Sequence, residues 1–168
     1  MKSNLHIPPD IPLNDQDELI PKFAEIGLDQ FAPYLLNRIT SRWNSSILEA
    51  ARQYGLTTRQ MRTLAVLSDK DGRPVNDLAT LTVTNQSTMS RALISMEKKG
   101  FIMRKPRSSD SRFIEVYLTE KGRQVFERFW PVFYWHFRRL FHGVEESEFA
   151  AFVATLHKIL RNVQHQPF

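Results

Sequence analysis

Apolar residues recur at helical spacing through most of the chain. Phe31, Leu35, Ile39, Trp43, Ile47, Ala51 and Tyr54 form one stripe, which predicts a long first helix ended by Gly55. Pro33 fits its first turn, where backbone N–H groups have no helical acceptor. LTTRQMRTLAVLSD predicts a second helix capped by Thr57 or Thr58, and DGRP at 71–74 predicts a turn. A short helix from about Asn76, a turn near Thr82 to Thr84, and a longer helix closed by Gly100 follow, which is helix-turn-helix spacing. The period then changes to two. FIMRK and FIEVYL predict strands joined by PRSSDS, with Ile114, Val116 and Leu118 on one face. Thr119 ends the second strand and can cap a further helix, in which Gly122 permits close backbone packing. A last helix carries Phe149, Phe152, Val153, Leu156, Ile159 and Val163 on one stripe. The fold class expected is mainly α with a small β-hairpin wing: a winged helix-turn-helix plus a helical dimerisation region.

Composition narrows this. The 168 residues suffice for one domain with a core. The absence of cysteine excludes disulfides, thiolate zinc sites and thiol redox sensing. No apolar run is long enough for a membrane helix and MKSNLHIPPDIPLND has no apolar core behind Lys2, so a soluble, cytoplasmic protein with no membrane partner is expected. Residues 1–30 hold six acids against two lysines, with prolines at 8, 9, 12 and 21, and residues 1–27 read as an irregular acidic arm. From Ser87 to Arg112 there are seven basic residues against Glu97 and Asp110, so the net charge of +5 is concentrated there.

That concentration falls on the helix-turn-helix. In its second helix Met89, Ala92, Leu93 and Met96 share one face, leaving Ser87, Arg91, Ser95 and Lys98 opposite, with Asn85 and Gln86 at the N-terminal end. A small, polar, basic face can enter a DNA groove. A hairpin after a helix-turn-helix is a wing, and Arg107 and Arg112 are its candidate probes of a narrow, negative minor groove. Asp110 is expected to orient Arg112.

The segment STMSRALISMEKKGFIMRKPRSSDSRFIEVYLTEKG resembles the recognition helix and wing of MarR-type transcriptional regulators without gaps. The matching elements are Ser87, Thr88, Ser90 and Arg91, the EKKGF junction, Asp110 and Arg112, and Leu118, Thr119 and Gly122. The family's wing usually has Asp-Arg-Arg, whereas Ser111 stands in the middle here and removes one contact. The resemblance implies a MarR-type domain over 28–163, with a DNA-binding winged helix at 57–118 and dimerisation helices at 28–55 and 119–163. It implies a homodimer whose first and last two helices interlock, binding double-stranded DNA at a pseudo-palindromic operator. It also implies a sequence-specific repressor released from the operator by a small aromatic or phenolic acid or its conjugate. For that effector, Arg38 and Arg42 are candidate cations, Trp43 a stacking wall and His136 a polar contact.

Competing readings are a constitutive DNA binder without effector and a non-DNA winged helix serving as a protein-interaction module. The aromatic run from Phe126 to Phe141 is first a packing surface. His136, His142 and His157 lack helical ligand spacing, so no metal is expected. With no G-x-S-x-G elbow and no glycine-rich phosphate loop, neither a cofactor nor an enzyme is expected.

Overall fold

The computed structural model describes residues 22–107 and 110–165, with the backbone alone at Ser111 and His165. Its elements are α1 (Phe23–Ile26), α2 (Ala32–Gln53), α3 (Thr58–Asp69), β1 (Arg73–Pro74), α4 (Val75–Leu81), α5 (Gln86–Lys98), β2 (Ile102–Arg107), β3 (Asp110–Leu118), α6 (Glu120–Leu140) and α7 (Glu146–His165). By internal contacts the chain divides into Met1–Thr40 and Ser41–Phe168. None of the described helices is long and apolar enough to cross a membrane.

In the first unit, α1 is a helical turn inside the segment expected to be irregular. Its start is held by the Lys22 N–H, which donates to the Glu25 carboxylate (3.0 Å), and Phe23 meets Phe31 edge to face. The rest of the expected acidic arm, residues 1–21, lies outside the described residues.

In the second unit the core collects one face from every major element except α7. Ile47, Ala50 and Ala51 enter it from α2, and Met61, Leu64 and Leu67 from α3. Leu78 enters from α4, Met89, Leu93 and Met96 from α5, and Val125 and Phe129 from α6. The helix starts follow local chemistry. Thr57 and Gln60 cap each other's backbone N–H groups at α3, Asn85 accepts from the Thr88 N–H at α5, and Thr119 accepts from the Gly122 N–H at α6.

The wing is a three-stranded antiparallel sheet ordered β1-β3-β2, so the expected hairpin gains a third strand. The DGRP turn supplies it: Arg73 and Pro74 pair with Val116 and Glu115. Two residues of pairing leave no period-two trace, which is why composition showed only a turn. The inner face of β3 also ends sooner than its alternation implies. Val116 and Leu118 are buried but Ile114, paired with Pro106 just before the ladder shifts register, is 40% exposed, because the hairpin runs out past the core.

Two backbone positions constrain this unit. The Phe101 carbonyl accepts from the Thr119 N–H (3.1 Å), and Gly122 packs so closely over the same carbonyl that a Cβ would collide with it. Val83, in the turn between α4 and α5, has φ 53°, a left-handed conformation costly for a β-branched residue. Gly122→Ala is expected to lower stability by about 1 to 3 kcal/mol through overpacking against backbone, read as a lower urea midpoint. Val83 is 88% exposed, so Val83→Asn removes strain without removing packing, and should raise stability by about 1 kcal/mol in the same assay.

Candidate nucleic-acid interface

Burial of Met89, Leu93 and Met96 sets the rotation of α5 about its axis. Gln86, Ser87, Ser90, Arg91, Ser95 and Lys98 are consequently exposed together. Asn85 is occupied as the cap: its side-chain oxygen accepts from the Thr88 N–H (2.9 Å) and from the Ser87 hydroxyl (3.1 Å). Its amide hydrogens lie at the exposed mouth of the helix. Arg91 folds back so that Nε donates to the Ser87 carbonyl (3.4 Å), and it has no carboxylate partner among the described residues. Thr88 is half-buried beside it.

The wing cations behave differently from one another. Arg112 makes a two-pronged contact to Asp110, Nε to Oδ1 at 3.0 Å and Nη2 to Oδ2 at 2.7 Å, while its own backbone N–H donates to Oδ1 at 3.1 Å. Its side chain is nevertheless 85% exposed, so the fork fixes the guanidinium and leaves its remaining N–H groups facing outward. Arg107 is tied down instead. Its Nε donates to Glu115 (2.7 Å), the other oxygen of Glu115 accepts from the Tyr117 hydroxyl (2.8 Å), and the guanidinium lies over the Phe113 ring. Arg104 donates to Glu97 (3.0 Å). Of the seven basic residues in the charged window, three are thus ion-paired, while Arg91, Lys98, Lys99 and Lys105 have no carboxylate within ion-pair reach among the described residues. Lys99 donates to the Gly55 carbonyl at 3.3 Å. The expectation attached to Ser111 concerns a side chain outside the described set.

These pairs shift the acids in one direction. The Arg112 hydrogen bonds hold Asp110 below the ordinary carboxylate range, and Arg104 does the same to Glu97. Arg107, helped by the Tyr117 hydroxyl, lowers Glu115, and that carboxylate in turn raises Tyr117.

The four residues proposed from sequence for an effector fall as follows. Arg38 lies over the Tyr34 ring in the first unit. In the second, the Arg42 carbonyl accepts from the Ser46 hydroxyl, Trp43 meets Phe133 edge to face at 5.4 Å, and His136 meets Trp135 at 4.9 Å. An open cavity of about 850 Å³ lies instead at the α6–α7 turn, lined by aromatic and basic side chains such as Trp135, Arg138, Arg139 and Phe149 and by the carboxylate of Glu146. Sequence periodicity could not single it out, because helical spacing says which residues share a face and not where two helices leave a gap. No group of three metal-ligating side chains occurs among the described residues.

A helix-turn-helix whose second helix exposes a polar, basic row, followed by a sheet that projects an ordered arginine, defines a winged-helix DNA-binding protein. The MarR family model matches residues 56–114. A MarR-family transcriptional regulator from Silicibacter pomeroyi, known from its crystal structure, is 41% identical, with 88% of this chain and all of that one aligned at a TM-score of 0.81. The transcriptional repressor CouR, solved on a 23-mer DNA duplex, is 26% identical over 80% of this chain and 96% of its own at a TM-score of 0.69. The HTH-type transcriptional repressor IacR of Pseudomonas putida is 26% identical over 86% of this chain and 84% of its own. The chain belongs to the MarR family and is a DNA-binding transcriptional regulator, as its relatives are regulators of transcription.

The wing pairs yield a signed pH expectation. Glu97, Asp110 and Glu115 are all depressed in the folded state, so the stabilisation from their pairs is present at neutral pH, holds down to the ordinary carboxylate range, and is lost as pH falls through the lower folded-state values. Carboxyl carbon NMR should find all three titrating below free carboxylates. Asp110→Asn should leave the fold intact while broadening the Arg112 Nε–H signal.

Proposed function

We infer that this chain is a homodimeric repressor that lays α5 in successive major grooves of a pseudo-palindromic operator and places Arg112 in the flanking minor groove. The observation that carries the reading is the contrast within the wing. Arg107 and Arg104 are absorbed by carboxylates on the protein surface, whereas Arg112 is held by Asp110 yet remains 85% exposed at the hairpin's far end. A cation ordered before contact loses less side-chain freedom on entering a groove. Base reading falls to Gln86, Ser87, Ser90 and Arg91, and phosphate contact to Thr88 and Lys98.

The dimer is supported by what the single chain leaves uncovered. No side chain of α7 among the described residues is buried: Phe152, Ile159, Leu160 and Val163 are 39 to 51% exposed, and Trp130, Tyr134 and Trp135 of α6 are 44 to 54% exposed. Apolar surface on that scale calls for a second copy, and a two-fold dimer would present its recognition helices about 34 Å apart. Release by an aromatic or phenolic acid is the regulatory half of the reading. It is supported by aromatic rings and cations side by side on α6, where Arg139 lies over Trp135 at 5.2 Å. Arg38, Arg42, Trp43 and His136 remain the residues to vary in testing it.

Arg91→Ala should cost about 1 to 3 kcal/mol on the preferred sequence if it contacts a base, and Arg112→Ala should reduce preference for A·T-rich flanks. Both are read by fluorescence anisotropy on duplexes selected from a random pool. Wild-type affinity for both variants, or binding by the native protein that is indifferent to salt, contradicts the reading and favours a protein-interaction module. An effector should quench tryptophan emission and weaken operator binding together; ligand panels that do neither leave a constitutive binder.

A further inference from the structure

Beside α5 lies a cleft of about 300 Å³ that no sequence motif marks. Thr57, Arg59 and Gln60 line it from the start of α3, and Thr88, Arg91 and Ser95 from the outer row of α5. Two arginines from elements far apart in the chain thus border one cleft. Elsewhere in this unit the arginines near the wing have carboxylates: Arg73 pairs with Asp69, Arg104 with Glu97, Arg107 with Glu115, Arg112 with Asp110 and Arg123 with Asp71. Arg59 and Arg91 have none among the described residues. A third cation adjoins them, for Lys99 Nζ sits 3.5 Å from the Gln60 side-chain oxygen and 3.3 Å from the Gly55 carbonyl. The hydroxyls of Thr57, Thr88 and Ser95 add neutral donors, and no carboxylate lines the space. Like charges brought together around hydroxyl donors, with nothing anionic beside them, make a receptor for an oxyanion.

We propose that this cleft takes a backbone phosphate of the DNA, with Arg59 as a phosphate-contact residue outside the helix-turn-helix; the proposal rests on the DNA-reading assignment of α5. Size and position favour a phosphodiester over a free effector. The space is too small for an aromatic conjugate, and it opens beside Arg91 and Ser95, which belong to the face assigned to the groove. A helix about 10 to 12 Å across nearly fills a major groove about 12 Å wide, so cations on its flank meet the phosphates of the groove wall. Arg59 would secure that wall while Arg91 stays within reach of base edges.

The test uses the full-length protein, with affinity measured against salt on both a selected operator and an unrelated duplex. Arg59→Ala should weaken both duplexes alike and make each log–log slope shallower by about 1 per cleft, and Arg59→Lys should keep most of the slope. Replacing single phosphates by neutral methylphosphonates should find one position per half-site at which the native protein loses affinity and Arg59→Ala does not. Native salt dependence with unchanged slopes in Arg59→Ala overturns this proposal and leaves the assignment of α5 standing. A native protein that fails to bind duplex DNA overturns both. If inorganic phosphate, at ionic strength matched with chloride, releases DNA from the native protein but not from Arg59→Ala, and no methylphosphonate position distinguishes the two proteins, the cleft serves a free oxyanion and the backbone assignment is wrong.

Discussion

The seating of Met89, Leu93 and Met96 in the core is the constraint on which the rest of this molecule depends. A helix has a single rotational freedom about its axis once its ends are fixed, and three buried side chains at i, i+4 and i+7 remove it. Everything on the opposite side is then exposed by necessity. That side carries mainly serines and cations, with Ile94, 44% exposed, as its one large apolar side chain, so it presents a largely polar, basic surface to DNA. Support comes from α3 beneath and from β2 and β3 alongside, whose Ile102, Val116 and Leu118 close the same core. The Phe101 carbonyl, bonded to Thr119 and overlain by Gly122, ties the wing to α6, so the sheet and the long helix share one junction.

Charge is distributed with a division of labour that the total conceals. Carboxylates take up Arg104 and Arg107, which brace α5 against β2 and one strand of the wing against the other. Exposed ion pairs of this kind add little stability singly, and their value lies in fixing where side chains stand. Asp110 does this for Arg112 without shielding it, because the acid is the less exposed of the two partners. Among the cations near this surface that have no carboxylate partner within the described residues are Arg59 on α3, Arg91 and Lys98 on α5, Lys99 at its C-terminal cap and Lys105 on β2.

Apolar surface follows a complementary logic. Phe129 is wholly buried and meets Tyr54 edge to face, while Trp130, its neighbour in sequence, is 46% exposed and stacks on Phe133. One side of α6 therefore completes the core and the other remains open. Beyond it, α7 has no buried side chain among the described residues, so the chain's own fold leaves its apolar stripe open.

The order of the longer helices and of the two long wing strands, the helix-turn-helix spacing, a cap at Thr57 or Thr58, the cap at Thr119 and the two faces of α5 were legible in the sequence, because each rests on local periodicity or on a cap within a few residues. The family was legible for the same reason: the matching residues lie in one gapless stretch. The two-residue strand β1 was not, since its pairing is with residues more than forty positions away. Nor was the fate of every arginine. That Asp110 holds Arg112 was expected from their spacing, but the pairing of Arg107 with Glu115 crosses from β2 to β3 and depends on how the two strands meet. The cleft joining Arg59 to Arg91 belongs to this second kind of fact. Periodicity determines which way a side chain points from its own element; which other side chains it meets there depends on how the elements pack, and that was settled by the tertiary structure alone.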